Sequence, residues 1–182
     1  MKVIGIAQKN KKSVIAGMIA IAIIGAAIYW FGIPQIRWGS KDTSFREEYG
    51  LVLTNYAGEP VRMSAFRNKI MVAYAWASWC PYCAQELENL GRLKEIFGDE
   101  VQIVAVNRGE PLAAAKGYTD ALKTDGVVLL LDPEDSYFKS IGGYAMPETI
   151  FINDRGEILF HQRGPMKFDE VTEKIRQLIG NR

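Results

Sequence analysis

The stretch from Val14 to Ile33, VIAGMIAIAIIGAAIYWFGI, holds no charged or strongly polar side chain across 20 positions. At 1.5 Å per residue a helix of that length spans about 30 Å, the thickness of a hydrocarbon core. From Leu51 onward short apolar runs alternate with helical periodicities. LVLTNYAGEPVRMSAF reads as a strand, a Gly-Glu-Pro turn and a second short strand. IMVAYAW is an unbroken apolar run, expected of a strand covered on both faces. Leu87, Leu90, Leu93 and Phe97 then recur at helical spacing, and Gly98 ends the helix. VQIVAV predicts a strand, Pro111–Lys123 a helix, VVLLL a strand, and the residues near Ser136–Ile141 a short helix. ETIFINDRGEILFHQ predicts a hairpin turning at Asp154-Arg155-Gly156. The last helix, Phe168 to Ile179, places Phe168, Val171, Ile175, Leu178 and Ile179 on one face. Strand–helix alternation that closes on a hairpin and a helix implies an α/β domain, a mixed central sheet with helices on both faces.

Charge sharpens the division. Of the 22 basic residues, Lys2, Lys9, Lys11 and Lys12 precede the apolar run, and no acid accompanies them. The remainder carries 18 basic and 21 acidic residues, a net −3, which gives no electrostatic reason to bind nucleic acid. Lysines before the run, and Tyr29 and Trp30 near its far end, suit a membrane anchor with its N-terminus in the cytoplasm. The expected order is a short cytoplasmic tail (1–13), a single transmembrane anchor (14–33), a polar linker (34–49) and an extracytoplasmic domain (50–182). A cleaved signal peptide is the rival reading, since Gly25-Ala26-Ala27 offers a small-residue cleavage site. Both place the domain outside the cytoplasm.

The chain has two cysteines, Cys80 and Cys83, separated by two positions. Structural zinc needs four ligands, and two cysteines with the single histidine, His161, fall short. Covalent haem attachment wants a histidine after the second cysteine, where Ala84 stands. No metal site is expected. A bridge across so short a loop constrains the unfolded chain little, so the spacing favours a dithiol that opens and closes over a structural clip. An apolar strand runs into Trp79-Cys80, and Pro81 suits the first turn of a helix. Cys80 is therefore expected at a helix N-terminus, where amide donors and the dipole favour a reachable thiolate. It would be the nucleophile, and Cys83 would resolve the mixed disulfide.

WASWCPYCAQEL resembles the active-site stretch of membrane-anchored thioredoxin-like proteins of the TlpA/ResA type, including the cytochrome c maturation thioredoxins. YAMPETIFINDRGEILFHQRGPM is similar to the segment around their cis-proline, and LVLTNYAGEPVRMSAFRNK to their N-terminal hairpin. The resemblance implies a thioredoxin-like fold with an N-terminal β-hairpin, a Cys80–Cys83 redox pair and a cis bond before Pro147. It also implies a substrate-facing set of Trp79, Pro81, Tyr82, Met146 and Pro147. Glu86 matches the family's acidic residue. A carboxylate there shuttles a cysteine proton on one reading and is a solvated helix glutamate on the other. Tyr74 stands where cytoplasmic thioredoxins keep a buried acid, and the Pro-Tyr pair between the cysteines is that of glutaredoxins. His161 is expected to be an exposed strand residue.

The implied function is an extracytoplasmic thiol–disulfide oxidoreductase with no cofactor beyond its own disulfide. It would reduce client proteins such as apocytochrome c and draw electrons from a membrane-embedded thiol donor. The alternatives are a disulfide donor for oxidative folding and a module that holds Cu(I) on the two cysteines, with Met146 as a further soft ligand.

Overall fold

The computed structural model describes residues 50–180. The apolar run Val14–Ile33, the linker and the tail before them lie outside the described residues, and within these no helix is long and apolar enough to cross a membrane. Seven strands form one mixed sheet: β1 (Val52–Asn55), β2 (Pro60–Arg62), β3 (Ile70–Trp76), β4 (Val101–Arg108), β5 (Val128–Asp132), β6 (Glu148–Ile152) and β7 (Ile158–Arg163). Their order is β2-β1-β5-β4-β3-β6-β7. β3, β4 and β5 are parallel, while the outer pairings are antiparallel. Among the described residues four α-helices accompany them: α1 (Cys83–Phe97), α2 (Leu112–Thr119), α3 (Ser136–Ser140) and α4 (Phe168–Gly180).

β3 is buried at all seven positions because helices cover both of its faces. Ile70, Val72, Tyr74 and Trp76 point into one core with Leu87, Leu90 and Leu93 of α1 and Val171 and Ile175 of α4. Met71, Ala73 and Ala75 point into the other, with Tyr137 and Phe138 of α3 and with Met63, which lies in a 3₁₀ turn at Met63–Phe66. α1 approaches closely at Gly91, where a Cβ would stand 2.5 Å from the Lys123 carbonyl oxygen.

The two hairpins use one device. In Asn55-Tyr-Ala-Gly-Glu59 the Asn side-chain oxygen accepts the N–H groups of Ala57 and Glu59, each at 2.9 Å. In Asn153-Asp-Arg-Gly-Glu157 it accepts those of Arg155 and Glu157, at 3.0 and 2.9 Å. Each Asn amide also donates to the closing Glu, and each turn has its Gly at positive φ. The first turn therefore occupies Tyr56–Glu59 rather than Gly58–Pro60, because Asn55 closes it and Pro60 already opens β2. α2 stops at Thr119, short of the expected Lys123, where the Thr119 hydroxyl bonds back to the Ala115 carbonyl oxygen at 3.1 Å.

Candidate active site

β3 delivers the chain to its C-terminal edge at Trp76, and four residues later Cys80 is joined to Cys83 by a disulfide, their Cα atoms 5.5 Å apart. The turn is closed by Cys80 N–H to the Ala77 carbonyl at 3.1 Å and by Cys83 N–H to the Cys80 carbonyl at 3.3 Å. α1 starts at Cys83, so Cys80 sits one turn ahead of the helix rather than on its first residue. The Cys83 N–H bond to the Cys80 carbonyl spans three residues, so this first turn is 3₁₀-like and the regular α pattern begins only at Cys83. In this oxidised form Cys80 is 1% exposed, contrary to the expectation of a reachable sulfur, and Cys83 is fully buried. The disulfide draws both side chains onto the core face of α1 with Leu87 and Leu90, and Met146 packs on the same cluster. Around this covered pair Trp79 is 62% exposed, and Pro81 and Tyr82 also face solvent.

β6 brings the second half of the site. It pairs antiparallel with β3, Ala75 opposite Glu148, so Met146 and Pro147 lie at the edge where β3 ends. The Met146–Pro147 bond is cis. Pro147 is buried, and its carbonyl accepts the Gly164 N–H at 2.8 Å. Glu148 is fully buried and holds the preceding loop: one oxygen accepts the N–H groups of Tyr144 and Ala145, each at 2.8 Å. Its other oxygen meets His161 Nε2 at 2.5 Å. His161 is thus 16% exposed and paired, not the exposed strand residue its position suggests, because its ring reaches the buried Glu148, two residues along β6 from its cross-strand neighbour Ile150.

Glu86 is 9% exposed, which overturns the reading of a solvated helix glutamate. It lies on the inner face of α1 with Leu87 and Leu90, and its Oε1 accepts the Met166 N–H at 2.7 Å. Burial pushes its carboxyl above the ordinary range, opposed by the Met166 N–H and by nearby Tyr74. Tyr74 is buried beside it, its hydroxyl without full hydrogen-bond geometry, and burial and the neighbouring Glu86 push that hydroxyl far above its ordinary value. Glu86 and Tyr74 line a small crevice with Thr149, Met166 and Phe168.

Sequence reasoning passed over Ser78, Asn107, Glu110 and Glu148. The available signals were an Asn ending an otherwise apolar strand and a Glu directly after Pro147.

A family model described as Redoxin matches residues 34–176. Thiol-disulfide oxidoreductase ResA of Geobacillus kaustophilus is 24% identical over 165 residues, covering 88% of this chain and 91% of its own length. Thiol:disulfide interchange protein HelX of Rhodobacter capsulatus is 32% identical over 112 residues, 62% of each chain. Among solved structures, a secreted Mycobacterium tuberculosis disulfide oxidoreductase homologous to E. coli DsbE superposes with a TM-score of 0.66 at 19% identity. It covers 72% of this chain and 98% of that one, a likeness of fold. A redox-active cysteine pair just beyond the end of β3 is the chemistry those relatives' names describe, and the family match spans the domain that carries it: the chain belongs to the Redoxin family and is a thioredoxin-like thiol–disulfide oxidoreductase of the ResA, HelX and DsbE type.

Proposed function

We propose that the domain reduces disulfides in client proteins outside the cytoplasm, with Cys80 as nucleophile and Cys83 as resolving thiol. The observation that carries this is the Cys80–Cys83 disulfide at the β3 edge, beside the Met146–Pro147 loop that β6 brings to the same edge. The Cys80 thiolate attacks one sulfur of a client disulfide, forming a mixed disulfide and releasing the other client sulfur as a thiolate. Cys83, deprotonated, attacks the Cys80 sulfur and expels the second client thiolate. The client gains two electrons, Cys80–Cys83 closes, and the two client thiolates take up one proton that came from Cys83 and one from solvent.

The exposed faces of Trp79, Pro81 and Tyr82 and the Met146 backbone form the surface on which the client lies as an extended segment. Glu86, buried on the face of α1 that carries Cys83, is the group that takes the resolving proton. Since both cysteines are covered in the disulfide form, re-reduction requires the cover over Cys80 to open. Apocytochrome c is the client that the resemblance favours, and a membrane-embedded thiol protein the electron donor. Val14–Ile33 supplies the anchor that keeps the domain at the outer face of the cytoplasmic membrane.

Cys83→Ser is the decisive variant. It should accumulate a mixed disulfide through Cys80 that carries the client with it and is released by dithiothreitol. Failure to trap any thiol protein, with the wild-type chain also inert toward a small disulfide, overturns the proposal. A redox titration fixes direction: a potential near or below about −270 mV supports a reductant, and one near −120 mV makes the domain a disulfide donor. Stoichiometric Cu(I) binding without disulfide exchange would assign the site to copper handling.

A further inference from the structure

The turn that carries Cys80 is tied to the sheet by a side chain from another loop. β3 and β4 run parallel with Trp76 in register with Asn107, so both strands end at one edge and their following loops meet. Glu110 reaches from the second loop into the first. Its Oε2 accepts the Ser78 backbone N–H at 2.7 Å and the Asn107 side-chain amide at 2.7 Å. Its Oε1 accepts the Ser78 hydroxyl at 2.5 Å. Both oxygens act only as acceptors, as an ionised carboxylate does. Asn107 is fully buried, so the donor aimed at Glu110 is fixed by packing. Ser78 stands two residues before Cys80, inside the turn closed by the Cys80 N–H on the Ala77 carbonyl.

We propose that Glu110 is a positioning residue for thiol–disulfide exchange, clasping Ser78 so that the Cys80 turn stays at the end of β3 whether the disulfide is open or closed. The inference rests on Cys80–Cys83 being the redox pair. In the oxidised form the S–S bond and the clasp both restrain the turn. In the dithiol form the clasp acts without that bond. Removing it frees the dithiol more than the disulfide, which favours the dithiol entropically. Loss of a negative charge beside the turn acts in the same direction, since a carboxylate disfavours a nearby thiolate. The domain then becomes easier to reduce and a weaker reductant, and its less ordered nucleophile attacks more slowly.

The test equilibrates the full chain and its variants with glutathione redox buffers and measures the dithiol fraction, alongside the rate of reduction of a small disulfide. Glu110→Ala should raise the equilibrium constant for reduction about tenfold, about 30 mV for this two-electron couple. Glu110→Gln keeps one acceptor oxygen and should shift it less. Ser78→Ala should move it in the same direction, and Ser78→Ala with Glu110→Ala no further than Glu110→Ala alone, because both changes break one clasp. Glu110→Gln and Ser78→Ala carry the test should Glu110→Ala not fold. Variants within twofold of wild type, shifted the opposite way, or strictly additive overturn the clasp while leaving the redox pair intact. A wild-type chain that exchanges no disulfide removes the redox-pair reading, and the clasp with it.

Discussion

Glu86 places a carboxyl in the core face of α1, and that burial has a thermodynamic consequence of definite sign. Desolvation raises its pKa from the ordinary 4.5, while the Met166 N–H and Tyr74 oppose the rise. The folded chain then holds this proton more tightly than the unfolded chain. Its contribution to stability is fully present below about pH 4.5 and is lost as pH rises through the folded value. Glu86→Gln keeps an acceptor for Met166 and has no proton to lose. Relative to wild type its urea midpoint should improve progressively as pH is raised from 4.5 toward 7, measured with the disulfide closed so that no cysteine titrates. Parallel curves for the two proteins would show that Glu86 releases no proton over that range. The same neighbourhood yields a second expectation. The Tyr74 hydroxyl is buried with an imperfectly aligned contact to Glu86, so Tyr74→Phe loses that weak contact but also removes a desolvated group, and the two should offset to within about 1 kcal/mol. A loss of several kcal/mol in a thermal melt would show that the hydroxyl is well bonded in solution.

At the scale of elements, two helix glycines carry opposite predictions. Alanine favours a helix interior over glycine by about 1 kcal/mol. Gly117 of α2 has nothing within 4 Å of the position a Cβ would take, so Gly117→Ala should gain about 0.5–1 kcal/mol. Gly91 of α1 lies against the Lys123 backbone, which cannot swing away as a side chain can. Gly91→Ala should lose about 1–3 kcal/mol net, read as a lower denaturation midpoint. Equal shifts for the two would mean that α1 does not seat on that loop. The sequence made most of these elements legible, and physical reasons mark where it did not. IMVAYAW matches β3 residue for residue because burial on both faces leaves an apolar run with sharp ends. Sequence pattern puts the first hairpin turn at Gly-Glu-Pro because that run is conspicuous, whereas the deciding bond comes from Asn55, three residues before the glycine. Periodicity predicts too long an α2 because Ala121 and Leu122 continue its apolar pattern, although the helix has already ended at Thr119.

For the molecule as a whole, the part of the site legible from spacing is the part written locally, and Met146 and Pro147 are legible only through the family resemblance. Cys80, Pro81 and Cys83 lie within four consecutive residues, and their chemistry can be argued from spacing, whereas for Glu86 spacing leaves a proton carrier and a solvated helix glutamate equally open. Glu110 and Ser78 are 32 residues apart, and Glu148 and His161 are 13 apart. Those pairs meet only through the β3–β4 and β6–β7 registers, which no local pattern specifies. The same division between local and assembled features separates the catalytic unit from the apolar run Val14–Ile33. The sheet, both cores, the disulfide and the clasp on its turn all lie among the described residues 50–180. Removing residues 1–49 should therefore leave the rate of reduction of a small soluble disulfide within twofold of the full chain. The full chain should sediment with lipid vesicles and resist alkaline carbonate extraction, since about 20 apolar residues make a complete span, while the shortened chain stays in the supernatant. A full chain that carbonate strips from the vesicles would refute the anchor. A shortened chain that keeps its fold but loses exchange would show that the N-terminal segment contributes to the active site itself.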